Sequence, residues 1–248
     1  MRMKLLGTGD AFGSGGRFNT CFLVDRGDQS VLIDCRSTSM VALRRFDVDP
    51  SQIAAIVLSH LHGDHFGGLP EFILEAQFVS RRTQPLAIVG PTGLRGRLEA
   101  LMEAHFPGSS QIELRFRLDL IEIEPERVTA IGSTGASVTG FPVSHPSGTP
   151  SLALRIACDD RIVTFSGDTE WVDTLLTAAH GADLFITECY SFDSAVPHHL
   201  NYVTLREKRP LLGAKRVILT HMSAAMLARS AEVRDFELSH DGMVVETT

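Results

Sequence analysis

The densest run of reactive side chains is SHLHGDHFGG, Ser59 to Gly68, which places His60, His62, Asp64 and His65 within six positions ahead of two glycines. Three imidazoles and a carboxylate are poor core material, because each needs a partner once buried. A metal ion supplies that partner. His60 and His62 are two apart, so they cannot share a helix face as an i, i+4 pair does; at an extended strand end both point to one side and reach one ion. Asp64 and His65 follow from the next turn, and Gly67 and Gly68 permit a tight backbone before the next helix. Four donors in one loop exceed what a single ion takes, so two ions are the natural count. Two divalent ions roughly 3.5–4 Å apart lower the pKa of a shared water toward neutrality and stabilise charge developing on a phosphoryl or carbonyl oxygen. Nitrogen and carboxylate donors without thiolate suit zinc, with manganese or iron as alternatives.

Short apolar runs must position these donors, and most end at a polar residue: VLID at Asp34, IAAIVLSH at His60, VTGFPVSH at His145, RIVTFSGD at Asp168, ADLFITE at Glu188 and RVILTH at His221. Such runs read as strands buried between helix layers, with the donors collected along one rim of the sheets. Helix-like segments alternate with them, at 37–46, 68–78, 93–105, 171–179, 203–212 and 224–229. This alternation predicts an α/β layered fold. No linker separates independent units, so one domain over residues 1–248 is expected.

H-x-H-x-D-H after an apolar run, with Asp34 upstream and His145, Asp168 and His221 downstream in that order, resembles the metallo-β-lactamase superfamily. The likeness runs from LGTGDAFGSGG (Leu6–Gly16) to LTHMS (Leu219–Ser223). It implies an αββα sandwich with a dinuclear metal site at the edge of the two sheets. It also implies that His60, His62 and His145 bind one metal, that Asp64, His65 and His221 bind the other, and that Asp168 bridges them. Asp34 matches a position that supports a ligand without binding metal, a carboxylate fixing an imidazole's orientation and tautomer. Iron redox members tend to carry Glu where this chain has His62, which favours the hydrolytic branch.

Within the superfamily, the glycine-rich opening, SGDT (Ser166–Thr169) and ADLFITECY (Ala182–Tyr190) are most similar to the ribonuclease Z-like phosphodiesterases. That branch implies a carboxylate at the end of this strand and a histidine beyond it, matched by Glu188 and His199. Glu188 would orient His199, and His199 would donate a proton to the leaving oxygen, with His198 as the fallback. Asp64, Glu188 and His199 form the candidate catalytic set. Two departures count against tRNA maturation. Thr187 stands where ribonuclease Z enzymes carry a histidine, and only 23 positions separate His145 from Asp168, too few for their tRNA-gripping arm.

The chain has 248 residues, 44% hydrophobic and 21% charged, with a net charge of −7 and scattered basic residues. This balance argues against general nucleic-acid binding, which relies on Lys and Arg at phosphates. Cys21, Cys35, Cys158 and Cys189 show no close pair and no zinc-finger spacing, so free thiols in a reducing compartment are expected. No apolar run suits a signal peptide or a membrane span, and a cytoplasmic location is expected. The stretch Pro70–Val79 is core by default and could also supply a homodimer interface.

The expected activity is metal-dependent hydrolysis of a small phosphodiester such as a cyclic nucleotide. The alternatives are a carbonyl hydrolase acting on a lactone, thioester, ester or amide, a tRNA 3′-end endonuclease, and a non-catalytic regulatory protein with a structural metal. A surface histidine is the plain alternative for His199, and a buried acid satisfied by backbone donors is that for Glu188. His105, His180 and His240 read as helix-end or turn residues. Arg17 and Asn19 are expected to face solvent, with contact to substrate as the alternative, and Gly7, Gly9, Gly13, Gly15 and Gly16 to serve a turn, with an anion cradle as the alternative.

Overall fold

Runs such as Val31-Leu32-Ile33 and Leu184-Phe185-Ile186 carry apolar residues on both faces, which only a sheet covered on both sides can bury. The computed structural model describes residues 1–247 and contains two such sheets of seven strands each. Thr248, the end of the expected domain, lies outside the described residues. In chain order the strands are β1 (Arg2–Gly7), β2 (Cys21–Asp25), β3 (Ser30–Ile33), β4 (Ile53–Val57), β5 (Leu86–Gly90), β6 (Leu118–Glu122) and β7 (Val128–Ala130). The rest are β8 (Ser137–Pro142), β9 (Leu152–Cys158), β10 (Arg161–Phe165), β11 (Leu184–Glu188), β12 (Val217–Thr220), β13 (Glu237–Leu238) and β14 (Met243–Glu246). The first sheet has the order β14-β1-β2-β3-β4-β5-β6 and the second β13-β12-β11-β10-β9-β8-β7.

Each sheet pairs antiparallel at one side and parallel at the other. The change comes between β3 and β4 in the first sheet, and between β10 and β11 in the second. Helices make the parallel crossovers and cover the outer faces: α1 (Ser39–Arg45), α2 (Gly63–Phe66), α3 (Leu69–Phe78), α4 (Leu94–His105), α5 (Thr174–Ala179), α6 (Tyr202–Lys208) and α7 (Ala224–Ala228). Val31, Ile33, Leu184 and Ile186 join the core between the sheets, where the Phe22 and Phe165 rings meet edge to face at 5.2 Å. Leu32 packs outward with Leu43 of α1 and Ile73 of α3, and Phe185 packs outward with Leu175 of α5 and Leu205 of α6. Each fully buried Val, Leu or Ile contributes roughly 1.5–3 kcal/mol of transfer free energy. The architecture is the αββα sandwich of the metallo-β-lactamase fold.

Local departures from expectation have simple causes. The segment expected as one helix over 203–212 divides into α6 and a 3-10 turn at Arg209–Leu211, because Pro210 lacks the N–H that a continuous helix needs. The fourth expected helix begins only at Thr174. β4 ends at Val57, so His60 and His62 lie in the following loop rather than on a strand end, and Asp64 and His65 belong to the short helix α2. Gly68 has an ordinary φ of −90°, and its requirement is close approach instead: a Cβ there would stand 2.1 Å from the Arg36 carbonyl oxygen. All four cysteines are buried free thiols. Among the described residues no helix is long and apolar enough to cross a membrane.

Candidate metal centre

The loop after β4 turns through α2, where the His62 carbonyl accepts from His65 N at 2.8 Å and Phe66 N at 3.1 Å. This turn divides the donors between two clusters. One holds His60, His62 and His145; the other holds Asp64, His65, Asp168 and His221, and within each cluster the donor atoms lie within 4.8 Å of one another, as they do in a third group of Glu188, His199 and His221 that shares His221 with the second. His62 Nδ1 and His145 Nε2 are 3.0 Å apart. His65 Nε2 is 3.1 Å from Asp168 Oδ2 and 3.4 Å from Asp64 Oδ2, and His221 Nε2 is 3.4 Å from Asp168 Oδ2. Bonds of about 2.1 Å to a tetrahedral ion put neighbouring donors roughly 3.4 Å apart. The His60 and His65 rings, at 3.7 Å between centroids, join the two clusters.

Buried atoms without partners give the test of fit. His60 Nε2, Asp168 Oδ1 and both His221 ring nitrogens are buried with no hydrogen-bond partner. Each such atom costs about 1–3 kcal/mol if nothing satisfies it. They converge with nitrogen and carboxylate donors, so the residues present suit metal binding. Asp168 directs Oδ2 to His65 and leaves Oδ1 free, as a carboxylate shared between two ions requires.

Outer contacts set the imidazole tautomers. His65 Nδ1 donates to Asp34 Oδ2 at 2.7 Å. Ser59 Oγ donates to the same oxygen at 2.9 Å, which leaves it to accept from His60 Nδ1 at 3.1 Å. His145 Nδ1 donates to the His198 carbonyl at 3.1 Å. In His60 and His145 this leaves Nε2 as the free lone pair, whereas His65 Nε2 faces Asp168 Oδ2 at 3.1 Å with Arg36 Nη2 2.5 Å away. Asp34 itself stands at φ 57°, His198 at 63° and His221 at 56°, conformations that non-glycine residues seldom adopt. The His221 backbone N–H donates to the Thr8 carbonyl at 3.1 Å, which fixes the main chain at this turn.

Electrostatics follow from burial and charge. Burial, reinforced by the His65 charge, holds His60 well below its ordinary range, and burial brings His145 down to about 4. Burial and Arg36 both lower His65, yet Asp168 and Asp34 outweigh them and raise it to about 10. Burial would raise Asp64, but the neighbouring His221 and His65 imidazoles, with the Arg36 charge, dominate and hold it low. Arg36 was not anticipated. It is fully buried, its Nη1 bonds Asp64 Oδ2 at 3.2 Å, and its Nη2 lies 2.6 Å from His65 Nδ1. Ser59 was also missed, although its place beside His60 was a signal.

Glu188, at the end of β11, is buried; its Oε1 accepts from Thr169 N, and its Oε2 meets His199 Nδ1 at 2.9 Å. Burial, then the Asp168 charge, pushes Glu188 up, while burial lowers His199. The His199 ring lies 5.1 Å from His145 and 5.9 Å from His221, and stacks on Tyr190 at 4.7 Å. His198 contributes its carbonyl, and its own Nδ1 is buried without a partner. His105 pairs with Glu71 and His180 closes α5, both outside the clusters. Contrary to expectation Asn19 is 7% exposed and donates to the Asp10 carbonyl, and Arg17 bonds the Ser239 carbonyl. Both brace the glycine-rich loop.

Comparison with known proteins agrees with this geometry. Ribonuclease Z of Mycobacterium bovis is 28% identical over 194 residues, covering 75% of this chain and 69% of that protein. Ribonuclease Z of Haloferax volcanii is 27% identical, covering 97% and 84%. Among solved structures, human tRNase Z, short form, aligns over 100% of both chains with a TM-score of 0.80 and 26% identity. YhfI of Bacillus subtilis, a metallo-β-lactamase fold protein, covers 99% of both chains with a TM-score of 0.77 and 22% identity. These likenesses and the His/Asp clusters make the chain a metal-dependent hydrolase of the metallo-β-lactamase superfamily, ribonuclease Z-like in type. The family model described as Anti-Pycsar protein Apyc1 matches residues 1–244 of this chain, and the chain belongs to that family.

Proposed function

We propose that this hydrolase cleaves a small phosphodiester, a cyclic nucleotide in the first place, at a dinuclear centre. His60, His62 and His145 would hold one divalent ion, and Asp64, His65 and His221 the other, with Asp168 shared between them. Zinc fits the donor set best. When bound, such ions polarise a phosphoryl oxygen and lower the pKa of water.

The observation that carries the phosphodiester reading is the Glu188–His199 dyad. His199 stands over both clusters with Nδ1 fixed by Glu188, so its Nε2 is the nitrogen directed to substrate. An alkoxide is a poor leaving group and needs a proton, which a histidine held in this way delivers; a strained lactone needs it less. Glu188 positions the ring and balances its charge. Asp64 completes the catalytic set, its Oδ2 3.4 Å from His65 Nε2 and held by Arg36 Nη1 at 3.2 Å.

RNA is the second reading, because relatives named Ribonuclease Z cover most of this chain. An acidic balance alone therefore does not exclude nucleic acid. Against a tRNA substrate, β9 and β10 occupy most of the segment from His145 to Asp168. The test is a panel run with zinc- and manganese-loaded protein: 3′,5′-cyclic nucleotides, bis(p-nitrophenyl) phosphate, a p-nitrophenyl carboxylic ester, a lactone and a precursor tRNA. Asp168→Ala is the control. Cyclic-nucleotide turnover lost in the variant supports the proposal; cleavage of the ester or lactone alone, or of the tRNA alone, refutes it.

A further inference from the structure

Beside His199 a cleft of about 460 Å³ opens between the turn at Glu170–Trp171 and the segment 195–204. Its volume falls within the roughly 300–1,000 Å³ range of small-molecule pockets. His199 belongs both to the wall of this cleft and to the surroundings of the metal clusters. His199 thus links the cleft to the clusters, and an ester arm that passed this ring on leaving a phosphoryl group there would reach it.

The lining has the character of a heterocycle site. Trp171 is the single tryptophan of the chain and is only half buried. Its Nε1 donates to Asp173 Oδ1 at 3.0 Å and Lys208 Nζ lies over one face of the ring at 5.4 Å, which fixes the indole plane and leaves the other face for stacking. Val196 and Pro197 form an apolar wall near it. Two polar groups are left with outward capacity. Asn201 uses Oδ1 to cap α6 at Thr204 N, 2.8 Å away, so its amide nitrogen is free to donate. Glu170 Oε1 accepts from Ser144 Oγ at 2.5 Å, which leaves Oε2 free to accept. An aromatic surface flanked by a donor and an acceptor matches a planar ring whose edge carries an acceptor next to an amino group.

We infer that this cleft is a nucleobase subsite, with Trp171 as the aromatic wall and with Glu170 and Asn201 reading the edge of an amino-bearing base such as cytosine or adenine. The inference rests on the phosphodiesterase reading for its connection to catalysis, but occupancy of the cleft can be measured without turnover.

The single tryptophan makes the test direct. Wild-type protein is titrated with cytidine, adenosine and uridine and with ribose 5-phosphate while tryptophan fluorescence is followed. In parallel, kcat/KM is measured for 3′,5′-cyclic nucleotides and for methyl p-nitrophenyl phosphate, which lacks a base, in wild type, Trp171→Leu, Trp171→Phe and Glu170→Gln. The expected results are saturable quenching by cytidine and adenosine but not by ribose 5-phosphate, and a fall of about tenfold or more in the nucleotide-to-base-free ratio for Trp171→Leu. Trp171→Phe should restore part of that ratio. Glu170→Gln, an exposed change that spares the fold, should shift the preference between amino-bearing and uracil substrates by about fivefold or more. Cyclic-nucleotide turnover with no quenching and an unaltered ratio overturns the subsite and leaves the phosphodiesterase reading standing. Saturable quenching in a protein that cleaves no phosphodiester supports the subsite and overturns that reading.

Discussion

Asp34→Asn isolates the outer carboxylate, because it keeps shape and removes charge at a residue whose backbone, at φ 57°, asparagine tolerates well. Asp34 Oδ1 accepts from Ser59 N at 2.8 Å, and Oδ2 accepts from Ser59 Oγ at 2.9 Å and His65 Nδ1 at 2.7 Å. The amide has only one oxygen for these two positions. If its NH2 faces His65, Nδ1 must become an acceptor, and the ring proton moves to Nε2, the nitrogen that faces Asp168. If its NH2 faces Ser59 N, two donors meet in a buried place, at a cost of about 1–3 kcal/mol. Either outcome should weaken metal at the cluster of Asp64, His65, Asp168 and His221 by roughly 10–100-fold, or about 1.4–2.7 kcal/mol. The assay is zinc titration of metal-free protein against a chromophoric chelator. Equal dissociation constants in wild type and variant would refute the tautomer argument.

Three further outcomes are expected. His199→Ala should lower kcat about 10²–10⁴-fold for substrates with alkoxide leaving groups and much less for p-nitrophenolate, compared by steady-state kinetics; an equal loss on both would remove His199 as proton donor. Asp183, 7% exposed, accepts from Lys215 Nζ at 2.7 Å and Ile162 N at 2.8 Å; burial opposes these bonds but they prevail and hold the carboxyl below its ordinary range. Its contribution is thus present above the unfolded value and lost as pH falls through the lower folded one, so Asp183→Asn should cost about 1–2 kcal/mol at neutral pH by urea unfolding and should flatten the acid limb below about pH 4. Chelator treatment should lower the melting temperature of wild type and leave Asp168→Ala little changed, in thermal unfolding followed by circular dichroism.

The layered fold was readable because its strands are buried on both faces and so lack polar interruption. The donors were readable because such residues have no other reason to follow apolar runs. What escaped was meaning that depends on partners distant in sequence. Arg36 is an ordinary surface residue by type, and only the fold shows it fully buried beside Asp64 and His65. Ser59 acquires its role from Asp34, which lies 25 residues earlier. Asn19 and Arg17 look exposed in a glycine-rich loop until the carbonyls of Asp10 and Ser239 claim them.

Strand direction explains why one rim carries the whole centre. β3 and β4 run parallel, as do β10, β11 and β12. β8 is antiparallel to β9 and β9 to β10, so β8 points the same way as β10; by the same count β1 points the same way as β3. The segments leaving these strands at their C-terminal ends supply Asp34, His60 to His65, His145, Asp168, His199 and His221, and Glu188 is the final residue of β11. Ligand sites of parallel α/β sheets gather at the same ends, where adjacent connections diverge. The turns from β2 to β3 and from β9 to β10 leave at the opposite ends and cannot reach substrate. On the proposed reading substrate meets the connections that leave this rim, those after β1, β3, β4, β8, β10, β11 and β12, and the connections after β10 and β11 supply Trp171 and the 195–204 segment that wall the cleft beside His199.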